Sequence, residues 1–260
     1  MRRNLIALAL FITHFGHAQD HSAHEHSVTQ SVSQARGSSS PANAALLHEH
    51  GGMPTGLLIG ERLEYSPELD LQRWEAQGWY GVDLHKVWVK TEGEFDAESE
   101  SIDHAEVQLL YSQAIAPYWD VQGGVRVDAG EGPQRHQAVI GLMGLAPYWF
   151  ELDAAAFLSE RGDISARVEA EYDMRFTQRL ILQPRLELNY EFGDDRAVGI
   201  GKGVREASFG LRLRYEWRRQ LAPYIGVEHR KSYGGTARLQ EVAGHADEVT
   251  TWLVGLRFWY

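Results

Sequence analysis

The chain has 260 residues, a formal net charge of −11 and no cysteine. This length fits one large domain or two small ones, and the lack of cysteine excludes disulfide bonds and thiolate metal ligands. The acidic balance argues against a nucleic-acid partner and mildly favours cationic ligands.

The first 18 residues have the order of a secretory signal peptide. Arg2 and Arg3 precede an apolar run from Leu5 to Ile12, and small residues follow up to Ala18. This order predicts export with cleavage after about Ala18. Loss of the two arginines leaves 23 basic against 36 acidic residues, a net charge of −13. The apolar run is too short to cross a hydrocarbon core of ~30 Å, so it does not predict a membrane anchor.

Residues 19–55 have no apolar period and are predicted to form a disordered periplasmic segment. A spacer dominated by Ser, Gln and Ala separates two groups of histidines. Neutral imidazole binds copper, zinc and nickel, and a mobile tract can adapt to the geometry of each metal. We therefore expect a metal-binding segment; a solubilising tail with incidental histidines is the alternative. The candidate ligands are His21, His24, His26, His48, His50 and Met53.

From residue 56 to residue 260, apolar and polar residues alternate with period two in long runs. A helix over residues 166–176 would place Val168 beside Glu171 on one face, so the period there favours a strand. Strands of roughly 10 to 14 residues exceed the ~5–6 residues usual in soluble proteins. Their unbroken apolar faces end in Tyr and Trp, which is typical of a transmembrane β-barrel with lipid outside and a polar lumen.

The connections support an up-and-down barrel. Short turns are predicted at one membrane edge by the repeated Ala-Pro-Tyr sequence at 116–118, 146–148 and 222–224. Longer polar loops are predicted at the other edge, at 94–102, 128–135, 193–204 and 231–247. Short turns on one side and long loops on the other are typical of outer-membrane proteins. The segments predict about 12 antiparallel strands with both termini in the periplasm; ten strands are the alternative.

Some polar-face residues are candidates for a metal path inside the barrel, although an interfacial histidine or a packing methionine is the simpler interpretation. These candidates are His85, His104, Glu106 and Met143. His136, His229 and His245 are expected to be ordinary surface residues. Inward rows of arginine and glutamate are expected to neutralise one another because buried charges need partners. They predict an occluded lumen rather than a general porin. The rows contain Arg167, Glu169, Glu171, Arg175, Arg185, Glu187, Arg212, Arg214 and Glu216.

The barrel segment resembles the copper resistance protein B family of outer-membrane proteins. Matching stretches include WEAQGWYGVD (74–83), GLAPYWFELDAA (144–155), APYIGVE (222–228) and the terminal RFWY. The resemblance covers nearly all of residues 57–260 and runs through turns and polar-face residues. It implies a barrel in the outer membrane of a Gram-negative bacterium that acts in copper resistance, with copper bound in the periplasm or moved outward.

The same resemblance implies the partners: copper ions, outer-membrane lipid, and a periplasmic copper oxidase or copper carrier. Family members often carry repeats rich in Met and His before the barrel, whereas this N-terminal segment has histidines and only Met53. Thioether ligands suit Cu(I), while imidazole also accepts Cu(II) and zinc. The oxidation state of the bound copper is therefore left open.

Two other functions remain as alternatives to copper handling. One is a structural or adhesin-type barrel without a metal role. The other is a barrel lipid hydrolase, which needs a nucleophile beside a histidine at the lipid-facing rim. Ser112, Ser165 and Ser208 lie on the polar face without a supporting histidine, so we expect a protein that is not an enzyme.

Overall fold

The computed structural model describes residues 54–130, 134–194, 201–243 and 246–260, without the side chains of Leu239 and Ala243. The predicted signal peptide, nearly all of the predicted histidine segment, and His245 lie outside the described residues. No helix in the described ranges combines the length and the apolar character that crossing a membrane requires.

Antiparallel strands make up nearly all of the described chain, and each pairs with its neighbours in sequence except β8 and β9, which both pair with β10. Pairing of the first strand with the last closes the sheet into a barrel. The strands are β1 (Thr55–Ser66), β2 (Leu71–Val82), β3 (His85–Asp96), β4 (Ser101–Ala116), β5 (Trp119–Gly130), β6 (Arg135–Ala146), β7 (Phe150–Ser159), β8 (Ile164–Glu171), β9 (Met174–Arg175), β10 (Leu180–Glu191), β11 (Gly203–Tyr215), β12 (Leu221–Ser232) and β13 (Glu248–Trp259).

Segments β8 and β9 form one interrupted strand, since both pair with β10. The interruption lies at Tyr172 and Asp173, beside Pro184 in β10. Pro184 accepts a hydrogen bond from the backbone of Tyr172 but has no N–H to return one. The barrel therefore has 12 strands, which confirms the predicted count over the alternative of ten.

The two ends of the barrel differ in their connections. The terminal end carries both ends of the barrel segment and short turns at 83–84, 117–118, 147–149, 176–179 and 216–220. The loop end carries connections at 67–70, 97–100, 131–134, 160–163, 192–202 and 233–247. The last two are the longest, as predicted, whereas the loops predicted at 94–102 and 128–135 are shorter because their strands extend further.

Two of the three Ala-Pro-Tyr sequences form tight turns at the terminal end, as predicted. Tyr118 and Tyr148 both have a φ of 69°, and a short 3₁₀ helix, Pro147–Trp149, follows Ala146. The prediction for the third copy is wrong: Ala222, Pro223 and Tyr224 belong to β12. The loop before β13 also contains a helix that was not predicted, α1 (Gly234–Ala243).

The side chains divide by strand parity into an apolar outer face and a polar inner face. On β13, Trp252 and Val254 are exposed, while Thr251 and Leu253, at the alternate positions, are buried. Exposed aromatic side chains collect near the terminal end, where interfacial girdles lie in outer-membrane barrels. These are Tyr118, Tyr148, Trp149, Trp217 and Tyr260. The predicted assignment of the apolar face to the outside of the barrel and of the charged face to the lumen is confirmed.

A small apolar core lies inside the barrel near its middle. It consists of Trp88, Leu110, Val139 and Phe157, which come from β3, β4, β6 and β7 of one wall. The guanidinium of Arg126 lies 4.5 Å from the ring centroid of Phe157, a distance suited to a cation–π contact. The apolar core therefore borders directly on the charged groups that fill the rest of the lumen.

Candidate functional site

One group of lumen residues ties the two ends of the sheet together; we call it the closing cluster. It consists of Glu64, Arg73, Arg212, Tyr224 and Glu228. Arg212 donates from Nε to Glu64 at 2.6 Å and from Nη2 to Glu228 at 2.7 Å. Tyr224 donates to Glu64 at 3.0 Å, and Arg73 donates to Glu228 at 2.7 Å. These bonds join β1 and β2 to β11 and β12, so they stabilise the closed form of the barrel.

Charges of opposite sign face one another across the strands at the closing cluster. Glu64 of β1 is paired in register with Arg73 of β2, and Arg73 is paired with Glu94 of β3. Opposite charges at directly paired positions are favourable in a sheet. The alternation lets every charge in this row interact with a neighbour of the other sign.

A second row has the reverse pattern; we call it the carboxylate row. Register pairs Glu75 of β2 with Glu92 of β3, Glu92 with Glu106 of β4, and Glu106 with Asp128 of β5. Four carboxyl groups thus lie side by side across four strands. Like charges at directly paired positions are destabilising, so this row depends on cations from outside it.

Arginines supply those cations but are fewer than the carboxylates that they contact. Arg62, Arg126, Arg167 and Arg185 form ion pairs with the carboxylate row and with Glu169, Glu171 and Glu187 of the opposite wall. Within this set, seven carboxylates share four guanidinium groups. Such an excess of carboxylates over arginines in the lumen favours a further cation over an anion.

A histidine lies beside the carboxylate row. His104, Glu106 and Asp128 bring one ligand atom each to within 4.8 Å of one another; we call these three residues the histidine group. His104 and Glu106 point inward from alternate positions of β4, and Asp128 is paired with Glu106 from β5. His104 is half-buried, and the two carboxylates are buried. An imidazole and two carboxylates suit a divalent transition-metal ion.

The carboxylates of the histidine group already accept hydrogen bonds. Arg126 pairs with Glu106 at 2.7 Å and with Asp128 at 2.6 Å. Arg167 donates to Glu106 at 2.9 Å, and Gln137 donates to Asp128 at 2.7 Å. A metal ion entering this group must therefore compete with guanidinium groups for the same oxygen atoms.

Two cavities lie along the lumen in the described part of the chain. The larger, of about 420 Å³, is lined by residues that include Trp88, Met143 and Glu106. The smaller, of about 180 Å³, is lined by residues that include His104 and Glu94. Arg167 and Glu92 line both cavities and form an ion pair at 2.7 Å. We call this pair the partition; the histidine group reaches both sides of it.

The lumen candidates from the sequence fall in different places. His104 and Glu106 belong to the histidine group, and Met143 lines the larger cavity against the apolar core. The prediction that His85 lines the lumen is wrong. Its side chain lies on the outer face, stacked on Tyr111, with 2.6 Å between Nδ1 and the tyrosine oxygen. The remaining candidates, His21, His24, His26, His48, His50 and Met53, lie outside the described residues.

The predicted arginine–glutamate network is largely confirmed. Arg167, Arg185 and Arg212 lie in the ion pairs described above, and Arg214 donates to Asp173 at 2.7 Å. Arg175 differs, because it is exposed at the end of the interrupted strand. His136 lies on the surface as expected. His229 is also on the outer face, where Nδ1 lies 2.8 Å from Thr250 Oγ1.

Sequence reasoning did not select Glu92 and Asp128 as site residues. Both occupy alternate strand positions that belong to the polar face, as His104 and Glu106 do, so the alternation along the strands could have identified them as lumen residues. Their proximity to His104 depends on the register of β3 and β5 against β4, which parity alone does not give. The parity signal also placed His85 with Val87 and Val89 on the outer face.

Comparison with known proteins identifies relatives of the barrel segment. Residues 55–260 match the family described as "Copper resistance protein B precursor (CopB)". The chain is 42% identical over 207 residues to "Copper resistance protein B" of Escherichia coli, covering 78% of this chain and 69% of that protein. It is 36% identical over 213 residues to "Copper resistance protein B homolog" of Pseudomonas syringae pv. tomato, covering 81% of this chain and 72% of that protein.

Among solved structures, the NanC porin has a TM-score of 0.50 at 13% identity, covering 78% of this chain and 99% of that one. The KdgM porin has a TM-score of 0.48 at 13% identity, with coverage of 78% and 98%. The likeness to the NanC porin supports an outer-membrane barrel fold. The match to the family and the identity to its members extend through the strands and turns described above, and the chain belongs to the copper resistance protein B family.

Proposed function

We propose that this outer-membrane barrel binds copper ions and helps to sequester them or to export them from the periplasm. Membership of the family gives copper resistance as the setting. The finer proposal rests on one feature of the lumen: around the carboxylate row, beside a histidine, seven carboxylates share four arginines. A lumen of this charge attracts cations, and imidazole and carboxylate are ligands that Cu(II) accepts.

The N-terminal segment supplies a second part of the proposal. His21, His24, His26, His48 and His50 would capture copper in the periplasm, with Met53 close to the first strand. The barrel begins at Thr55, so captured ions would be released near its terminal end. A periplasmic copper oxidase or copper carrier is the proposed partner for delivery, and lipid is the partner of the apolar outer face.

A tolerance assay tests the proposal in a copper-sensitive bacterial host. The intact chain should raise the highest copper concentration that permits growth. A chain in which the five histidines of the N-terminal segment are replaced by alanine, called the tail-substituted chain, should raise it less. Cell-associated copper, measured by mass spectrometry, separates the two routes: export lowers it at equal exposure, whereas sequestration raises it. Equal tolerance with the intact chain and with an empty vector would overturn the proposal and favour a structural barrel.

The family and the barrel fold point to an outer-membrane protein that is not an enzyme. The three serines considered for a hydrolase all belong to the inner face. Ser112 is fully buried and donates to Asp120 at 3.0 Å, and Ser208 lines the smaller cavity. These positions differ from the lipid-facing rim where a lipid substrate would arrive, so the geometry adds no support to hydrolysis.

A further inference from the structure

We propose that His104, Glu106 and Asp128 form a transit site for a divalent copper ion at the partition between the two lumen cavities. Arg126 and Arg167 hold the ligand oxygens when the ion is absent. This inference rests on the proposed function and adds to it a site, an ion charge and a mechanism of exchange.

The spacing of the ligand atoms fits a single ion with little rearrangement. A transition-metal ion bound at about 2.0–2.2 Å joins ligand atoms that are at most about 4.4 Å apart. The three ligand atoms here lie within 4.8 Å of one another. His104 and Glu106 are on the same strand, and Asp128 is on the next one. A small change of side-chain rotamer therefore completes the site without movement of the barrel wall.

The ligand chemistry selects the charge of the ion. Two carboxylates and one imidazole are hard and borderline donors, which favour Cu(II) or zinc over Cu(I). Met143 lines the larger cavity with the apolar core and is not a member of the histidine group. The site should therefore discriminate against Cu(I), unlike a cluster of thioethers.

The surrounding charges allow the ion to be exchanged. Arg167 has carboxylate partners besides Glu106, since it pairs with Glu92 at 2.7 Å and lies 4.0 Å from Glu187. Arg126 can likewise remain over Phe157. A divalent ion can thus displace both guanidinium groups from Glu106 while Arg167 keeps Glu92 and Arg126 keeps the ring of Phe157. When the ion leaves, the arginines return and neutralise the carboxylates again.

Because the histidine group lies between the two cavities, an ion bound there can enter from one cavity and leave to the other. His104 lines the smaller cavity, Glu106 lines the larger one, and the Arg167–Glu92 pair borders both. An ion held between His104 and Glu106 therefore has access to either side.

The test uses the full chain in detergent with His21, His24, His26, His48 and His50 replaced by alanine, titrated with Cu(II). Electron paramagnetic resonance should show nitrogen coupling from one imidazole. His104→Ala should abolish that coupling and weaken Cu(II) binding by about tenfold or more, the scale seen when the environment of a metal site is damaged. His136→Ala, on the outer face of β6, is the matched control and should change neither.

Arg167→Gln provides a second readout of opposite sign. Removing the competing guanidinium should strengthen Cu(II) binding, whereas a purely structural arginine would leave binding unchanged or weaken it. Folding of each variant is checked by the change in electrophoretic mobility when the barrel is heated. If the alanine variant does not fold, His104→Gln is used in place of His104→Ala.

The outcomes separate this inference from the proposed function. If His104→Ala and His136→Ala bind Cu(II) with the same affinity and spectrum, the transit site is wrong. If the chain with intact tail histidines binds copper but the tail-substituted chain does not, the transit site also fails, while the proposed function stands. If the intact chain does not bind copper at all, the proposed function fails as well.

Discussion

The closing cluster and the carboxylate row are built from the same residue types in the same lumen, yet their charges are arranged in opposite ways. In the first, Glu64, Arg73 and Glu94 alternate in sign across three strands. In the second, Glu92, Glu106 and Asp128 place like charges side by side. Alternating charges satisfy one another, and adjacent carboxylates do not. The alternating charges of the closing cluster stabilise the closed barrel, and the adjacent carboxylates of the carboxylate row can bind a further cation.

The connectivity of the two regions supports this division. Arg212 is 2% exposed and bridges Glu64 and Glu228 across the junction of the first and last strands. Glu106 is 1% exposed but takes its cations from Arg126 and Arg167, which have other carboxylates within reach. Loss of Arg212 therefore leaves Glu64 with Arg73 at 3.8 Å as its remaining ion-pair partner. Loss of one arginine from Glu106 leaves the other arginine at 2.7 Å or 2.9 Å.

The largest effect is expected from Arg212→Met. The substitution leaves Glu64 and Glu228 buried with reduced compensation, and breaking a buried ion pair in this way costs about 3–5 kcal/mol. Urea unfolding of the barrel in detergent, followed by tryptophan fluorescence, measures the change. Arg175→Met removes an exposed arginine and should change the free energy of unfolding by less than about 0.5 kcal/mol. Equal losses in the two variants would contradict the role of the closing cluster.

A matched pair of substitutions compares the two regions directly. Glu64→Gln deprives Arg212 of a carboxylate, whereas Glu106→Gln removes one charge from a row of like charges. Glu64→Gln should lower the free energy of unfolding by about 2 kcal/mol more than Glu106→Gln, in line with the cost of unpaired buried charges. The same urea titration measures both variants. A larger loss with Glu106→Gln would reverse the assignment of the two regions.

Tyr224→Phe should have a smaller effect on stability. It removes the hydroxyl that donates to Glu64 at 3.0 Å but leaves the Arg212–Glu64 pair in place. A hydrogen bond to a charged group contributes about 1.5 kcal/mol. Tyr80→Phe on the outer face, at an exposed tyrosine, is the control for loss of a tyrosine hydroxyl. If the two phenylalanine variants unfold alike, the hydroxyl of Tyr224 contributes nothing to closure.

The smallest expected effect concerns conduction through the lumen. Wild-type barrels should pass little current and no antibiotic-sized solute in a liposome assay, because ion pairs fill the lumen. Arg167→Ala removes a side chain that lines both cavities and should raise single-channel conductance about twofold, since wider polar lumens conduct more water and ions. Arg257→Ala, which lines only the larger of the two cavities, should raise it less. Rapid solute flux through the wild-type barrel would contradict occlusion.

Much of the fold follows from the sequence because the side-chain period of a strand is two. Parity assigns Trp252 to lipid and Thr251 to the lumen, and the long runs give the strand count. Parity does not distinguish a turn from a strand that contains proline. Ala222-Pro223-Tyr224 therefore continues a strand, whereas the same three residues at 146–148 begin a turn.

The candidate site depends on information that a single run of residues does not contain. His104 and Glu106 share the inner face of β4, so the sequence predicts two of the three members of the histidine group. Asp128 joins them only through the register between β4 and β5, and a slip of one residue would turn its side chain outward. A bulge at Gly60–Arg62 in β1 illustrates how such a shift enters a barrel strand.

We expect the carboxylate row and its histidine to exchange a guanidinium for a copper ion. Anomalous diffraction at the copper edge, from crystals of the tail-substituted chain soaked in Cu(II), tests it most directly. We expect a peak about 2.0–2.2 Å from ligand atoms of His104, Glu106 and Asp128, with Arg167 turned away from Glu106. A well-ordered barrel with Arg126 and Arg167 still on Glu106, and copper bound only on the outer surface, would contradict this exchange.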